Sequence, residues 1–328
     1  MDLFEVQFSA QDFPADVSRS GILKFSDDDL AHALFTTGRA PGDELKHGMV
    51  SVWEFIHRAS VIPAYIRRTP SGLLRKSALA QDLDRSEKVG LSYSLGQALT
   101  AIFCGQRLRA AFMMHVDRYA ASYNLSFGLG RQRPDLFGQI ATPGRTSAME
   151  WIVAESKGRS NGMEASLVRK MKKQKGMVKS IDGRPPKVCL GCVASFPLLA
   201  PGSWGPMRVD AVDPQPSKEA VDLPVAQDMF QRAYYEPFVA AIRFGTPDED
   251  SETEYVTADL GVLGVRVGLR RDIYESMTRR EGVGSPESQI SISEGQGVVV
   301  GGRGTRYPDG TLIEARWSDA LSIRDYEG

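Results

Sequence analysis

Trp151-Ile152-Val153-Ala154-Glu155-Ser156-Lys157-Gly158 is the stretch that most narrows what this chain can fold into. Its apolar run is short, β-favouring and closed by a glycine, which predicts a buried strand. Side chains alternate across a strand, so Glu155 and Lys157 emerge on one face at its end. A carboxylate fixed beside an ammonium can hold a divalent metal, while the ammonium stabilises developing charge or orients a water. The same pair on a surface is an ion pair worth less than about 1 kcal/mol. Alone the triplet says little: a chain this long shows roughly one Glu-x-Lys by chance. A second, Glu44-Leu45-Lys46, follows no apolar run. The case for the first rests on its surroundings.

The 328 residues suggest one large domain with embellishments, or two domains. A composition 42% hydrophobic and 25% charged is that of an ordinary globular chain. The net charge of -1 argues against a globally basic nucleic-acid binder and leaves room only for a local basic face. No apolar run approaches the roughly 18 residues of a membrane span. The start, Met1-Asp2-Leu3-Phe4-Glu5, is acidic and unlike a signal peptide. Three cysteines, an odd count, argue for a reducing, cytoplasmic setting. Cys189 and Cys192 have the spacing of half a zinc knuckle but lie in an apolar strand with no second Cys/His pair, so they read as packing residues.

In chain order, short strands are expected at 3–8 and 21–25. The helix at 30–35 begins with Asp27-Asp28-Asp29, acids that the helix dipole favours at a first turn. A helix at 50–66 contains Pro63, and His57 on it reads as an ordinary histidine. Residues 67–90 read as a linker, and 94–119 as one long helix. Strands are expected at 125–130, from Asp135, at 151–157 and at 187–196. A basic helix is expected at 164–178 and another helix at 226–244. Residues 197–224 read as loop, and 246–259 as an acidic loop. Strands, with one short helix, fill the rest, and Asp309-Gly310 supplies a hairpin turn. The fold class is therefore α/β, a mixed central sheet flanked by helices. An α+β segment at 1–90 precedes the core at 91–245, and a β-rich segment at 246–328 follows it.

Asp135 and Glu155 flank one hairpin-sized turn, and neighbouring strands lie about 4.8 Å apart. Two carboxylates so placed can share one hard cation such as Mg²⁺, which activates a bound water and offsets phosphoryl charge. A separation beyond about 10 Å would forbid this. From Lys157 to Lys187 ten basic residues face two acids, Glu164 and Asp182. That asymmetry is either a solvated helix face or a phosphate-binding surface.

Pro134-Asp135, Glu155-Ser156-Lys157, the trailing Gly158-Arg159-Ser160 and a following helix with Gln174 resemble the PD-(D/E)XK, or restriction-endonuclease-like, nuclease superfamily over residues 90–196. The resemblance implies that Asp135 and Glu155 bind Mg²⁺ or Mn²⁺ and that Lys157 assists attack on a phosphodiester. DNA is the expected substrate and RNA the alternative, with Arg159, Lys170, Lys173 and Gln174 as contacts. A homodimer or a partner protein subunit fits such a chain. The superfamily works in restriction, phage defence, repair and mobile-element movement. Many members add a glutamate from the first long helix. Here that helix offers only Gln97 and Gln106, with Asp117 near its end. A catalytically inactive nucleic-acid-binding or assembly subunit on the same fold is the alternative function. If the triplet is accidental, the site lies among the loops at 197–224 or in the C-terminal strands.

Overall fold

The apolar run at 151–158 lies near the middle of a seven-stranded mixed sheet. A computed structural model describes residues 3–38, 50–122, 134–142, 145–159, 178–196, 198–200, 203–213, 221–247, 254–279, 298–299 and 304–317. The strands of this sheet are β1 (Phe4–Gln11), β2 (Ser20–Phe25), β3 (Ala110–His115), β4 (Leu136–Thr142), β5 (Arg145–Arg159), β6 (Val188–Ser195) and β7 (Arg208–Val212). Their spatial order is β2-β1-β7-β6-β5-β4-β3. β5 runs parallel to β6 and β1 parallel to β7; the other neighbours are antiparallel. β6 is buried along its whole length, as a continuous apolar run requires.

Among the described residues there are seven helices: α1 (Asp27–Thr37), α2 (Val50–Tyr65), α3 (Ala78–Asp82), α4 (Arg85–Leu108), α5 (Val116–Ser122), α6 (Gln227–Phe244) and α7 (Arg271–Thr278). None is long and apolar enough to cross a membrane. α4 packs on β5 and β6. α6 lies against the strands through rings: Phe230 meets Trp151 and Phe137 edge-on at 5.1 Å each, and Tyr234 meets Phe112 at 5.0 Å. Fully burying a side chain of this size stabilises by about 1.5–3 kcal/mol. A second, six-stranded sheet is built from β8 (Thr246–Pro247), β9 (Tyr255–Leu260), β10 (Val265–Arg270), β11 (Val298–Val299), β12 (Thr305–Arg306) and β13 (Thr311–Ala315), in the order β8-β9-β10-β13-β12-β11. It packs on α6 and α1.

The long helix expected at 94–119 is corrected on two counts. α4 starts earlier, because Asp84 caps it with Glu87 in a reciprocal capping box. It ends at Leu108, because Arg109 adopts the left-handed conformation, φ 58°, and closes the helix. The apolar residues that follow are buried on both faces of β3. The expected linker at 67–90 instead holds a hairpin, Ile66–Arg68 with Leu74–Lys76, then α3 capped by Ser77, then the start of α4. The expected loop at 197–224 contains β7, which pairs with β1 and β6 in the middle of the sheet. The acidic stretch expected as loop contributes β8 and most of β9. The main sheet therefore draws strands from 1–90 as well as from 91–245.

The three cysteines are free and buried, as packing residues should be. Ser26 caps α1, and Asp29 completes its capping box. The strand expected at 125–130 and the basic helix at 164–178, with Lys170, Lys173 and Gln174, lie outside the described residues.

Candidate active site

Register places the carboxylates. Leu136 pairs with Ala154 across the β4–β5 hairpin, so Asp135 comes opposite Glu155 at the strand ends. The Ser156 N–H donates to Asp135 Oδ2 at 2.9 Å. Lys157 Nζ lies 2.5 Å from Glu155 Oε1 and 3.8 Å from Asp135 Oδ2. One ammonium thus touches both carboxylates. Glu155 is nearly buried, with a side chain 5% exposed, while Lys157 at 32% opens to solvent.

Ser156 and Gly158 alternate with this pair and meet α4. Thr100 donates its hydroxyl to Gly96 O at 2.7 Å and reaches Ser156 Oγ at 3.1 Å. A Cβ on Gly158 would stand 1.5 Å from Ser92 O, and one on Gly96 would stand 2.7 Å from Gly158 N. Helix and strand backbones therefore touch, which only glycine permits. This contact sets Tyr93 beside the strand end: its backbone N would be 2.8 Å from a Gly158 Cβ.

Burial pushes the Asp135 carboxyl above its ordinary range; Lys157 and the Ser156 N–H oppose the rise and Asp117 adds to it. Burial and then the Asp135 charge push Glu155 up as well, against Lys157. Burial pulls the Lys157 ammonium down, but Glu155 and Asp135 together outweigh it, with a smaller contribution from Tyr93, and it sits above its usual range. Two crowded acids thus share one cation. An all-oxygen donor set carrying uncompensated negative charge suits a hard divalent ion that keeps most of its water. Among the described residues no group of three or more His, Cys, Asp or Glu side chains gathers as a metal site. Asp135 and Glu155 are the two residues that would hold the ion.

Behind this pair runs a polar chain. Arg58, buried on α2, donates to Gln97 Oε1 at 3.4 Å; Gln97 Nε2 donates to the Tyr93 hydroxyl at 2.8 Å. Tyr93 Oη lies 3.1 Å from His115 Nε2, and the Asp117 backbone N–H donates to His115 Nδ1 at 3.1 Å. The Val116 N–H in turn donates to Asp135 O at 2.9 Å, tying the chain to the site. Asp117 is not on the long helix; it opens α5, one strand later. Gln106 lies apart, bonding Lys24 O at 2.7 Å. Sequence reading passed over Tyr93, His115 and Arg58, because nothing local marks them. Arg58 and His115 share one signal, burial of a charged or polar group; Tyr93 is only partly buried. Arg159 ends β5 half-buried, and its Nε has no hydrogen-bond partner among the described residues.

Comparison with protein-family models, with curated proteins and with solved structures returns no match.

Proposed function

We propose that this protein is a metal-dependent nuclease that hydrolyses DNA phosphodiester bonds at Asp135, Glu155 and Lys157. The observation that carries the reading is one Lys157 ammonium in contact with both carboxylates at adjacent strand ends. The order α4, β3, α5, β4, β5, β6 adds support, since it sets the Asp135 and Glu155–Lys157 strands side by side in a mixed sheet with β6 parallel to β5, as a site of this kind needs. So does the basic stretch that follows Lys157, which suits a polyanion.

In hydrolysis a water oxygen bonds to phosphorus while the ester P–O bond breaks. The water's proton leaves to solvent, and the departing oxygen takes one from solvent. Mg²⁺ or Mn²⁺, when bound, supplies charge neutralisation and a more acidic water. Asp135 and Glu155 hold and orient that charge. Lys157, a fixed cation beside them, stabilises the charge that builds on the phosphoryl oxygens.

The test is cleavage of plasmid and linear DNA with Mg²⁺ or Mn²⁺, with EDTA and Lys157→Ala as controls. Metal-dependent cutting that falls at least about 100-fold in the variant is expected. Cutting that survives in Lys157→Ala, with the protein folded, overturns the assignment.

A further inference from the structure

Three of the buried polar atoms that have no hydrogen-bond partner among the described residues fall in one row of the main sheet: Arg159 Nε, Ser195 Oγ and Arg208 Nε. Register puts them there. Ser195 on β6 pairs with Arg159 on β5 and with Arg208 on β7. Residues paired across neighbouring strands project to one face, and alternation along β5 gives Arg159 the face of Glu155 and Lys157. α4 lies on the opposite face, where Gly158 meets Ser92. The row therefore shares the face of the candidate active site, two residues or about 6.6 Å beyond Lys157 along the strand.

All three groups can donate, and a guanidinium can do nothing else. Arg208 Nη2 donates to Asp210 Oδ1 at 3.0 Å, which also accepts from Ser9 Oγ at 2.5 Å, so that cation has its acid. Arg159, half-buried, has no such acid among the described residues. Ser195 is fully buried, and its hydroxyl is unsatisfied. A buried hydroxyl and a half-buried guanidinium both cost free energy until something accepts from them. One small anion with several oxygens would meet donors from all three strands, and a phosphate has that form.

We propose that Arg159, Ser195 and Arg208 form a second phosphate subsite, which holds the phosphate next to the one that is cut on the same strand. The inference rests on the nuclease reading for which strand is held. No bond is made or broken at the subsite. Fixing one phosphate there sets its neighbour in register with Asp135, Glu155 and Lys157.

Binding of an oligonucleotide duplex in Ca²⁺ is measured for wild type, Arg159→Gln and Ser195→Ala. Each phosphate of one strand is replaced in turn by a neutral methylphosphonate, and cutting is mapped in Mg²⁺. One position, a single phosphate from the cut, should cost wild type about tenfold in affinity and Arg159→Gln less than about twofold. Arg159→Gln should also flatten the dependence of log K on log salt by about one unit. Ser195→Ala should bind more weakly yet unfold at a higher temperature, because it removes a hydroxyl left unsatisfied in the free protein. Equal losses in wild type and Arg159→Gln at every position, or an unchanged salt slope, overturn the proposal. So does a lower midpoint for Ser195→Ala with unaltered binding, which is the outcome of a merely structural role. If Arg159→Gln fails to fold, Arg208→Gln takes its place under the same two criteria. Wild-type cutting without a position coupled to Arg159 overturns the subsite and leaves the nuclease reading standing. A coupled position without any cutting overturns the nuclease reading and leaves the subsite as a phosphate contact. No duplex binding by wild type overturns the subsite.

Discussion

Asp135 keeps a carboxylate where the fold disfavours its charge, and that sets an expectation at the scale of one residue. Its folded pKa is raised, with burial the leading cause. Between the ordinary carboxylate range and the raised value the native state binds the extra proton, so this group's contribution to stability falls as pH rises through that window. Asp135→Asn keeps an oxygen for the Ser156 N–H and removes the penalised charge. It should have a higher denaturant midpoint than wild type at pH 8 and match it at pH 4, while losing cleavage. A lower midpoint at pH 8 would show that the Lys157 contact outweighs the burial. Lys157→Ala makes the complementary case. It leaves two carboxylates facing each other, so its midpoint should fall at pH 8 and recover on adding Mg²⁺. At a concentration 100 times its Kd, an ion adds about 2.7 kcal/mol. The double variant Lys157→Ala/Asp135→Asn should respond far less.

Elements meet where glycine lets them, and the contact of α4 with β5 is the one that builds the site. Gly158→Ala would drive a methyl group onto the Ser92 carbonyl, a backbone atom that cannot step aside. A loss of about 3 kcal/mol or more is expected, read as a drop in the unfolding midpoint. Gly90, on α4, is exposed with nothing within 4 Å of an added Cβ, so Gly90→Ala should gain up to about 1 kcal/mol from helix propensity alone. Opposite signs from the same substitution, at a strand glycine pressed on the helix and at an exposed helix glycine, would separate packing from propensity. The same elements show what the sequence could reveal. The β5 strand and its Glu155–Lys157 pair were legible because alternation is local, and Asp135 because a hairpin ties it to β5. β7 was not, because its parallel partner β1 is remote in sequence and its Asp210 is satisfied by Ser9 at 2.5 Å, about 200 residues away. The break after α4 hid in Arg109, a residue with no special preference for the left-handed conformation it adopts. Tyr93 and His115 became a pair only when β3 was laid against α4.

The whole molecule is joined by two buried aspartates of opposite electrostatic character. Asp309, 1% exposed in the turn before β13, accepts from Thr311 N–H at 2.9 Å, the Thr311 hydroxyl at 2.7 Å and the Tyr234 hydroxyl at 2.5 Å, and pairs with His32 Nε2 at 3.1 Å. Burial raises its carboxyl, but His32 and these donors outweigh burial and hold it below the usual range. Asp28 on α1 accepts from Ala315 N–H at 2.6 Å and the Thr305 hydroxyl at 2.8 Å, which fastens β12 and β13 to α1. Here burial wins, and the carboxyl is pushed up to about 6 from 3.8. The acids expected as simple helix-start residues thus include one that binds a sheet 277 positions away. The signs follow. Asp309 contributes stability above the ordinary carboxylate range that is lost as pH falls through its lowered value. Asp28 does the reverse: between about 4 and 6 the native state keeps a proton that the unfolded chain releases, so stability falls as pH rises through that window, by on the order of 2–3 kcal/mol. Asp28→Asn has the same shape, retains an acceptor for Ala315 and cannot ionise. Its unfolding free energy should match wild type near pH 4 and exceed it by about 1–3 kcal/mol at pH 7.5. Asp309→Asn should instead lose about 3 kcal/mol or more at pH 7.5, because it removes the buried carboxylate on which the Tyr234 hydroxyl and His32 Nε2 converge. Urea titrations of the two variants and wild type at both pH values measure this. Asp28→Asn less stable than wild type at pH 7.5 would mean that the ionised carboxylate, rather than its shape, holds the second sheet to the first.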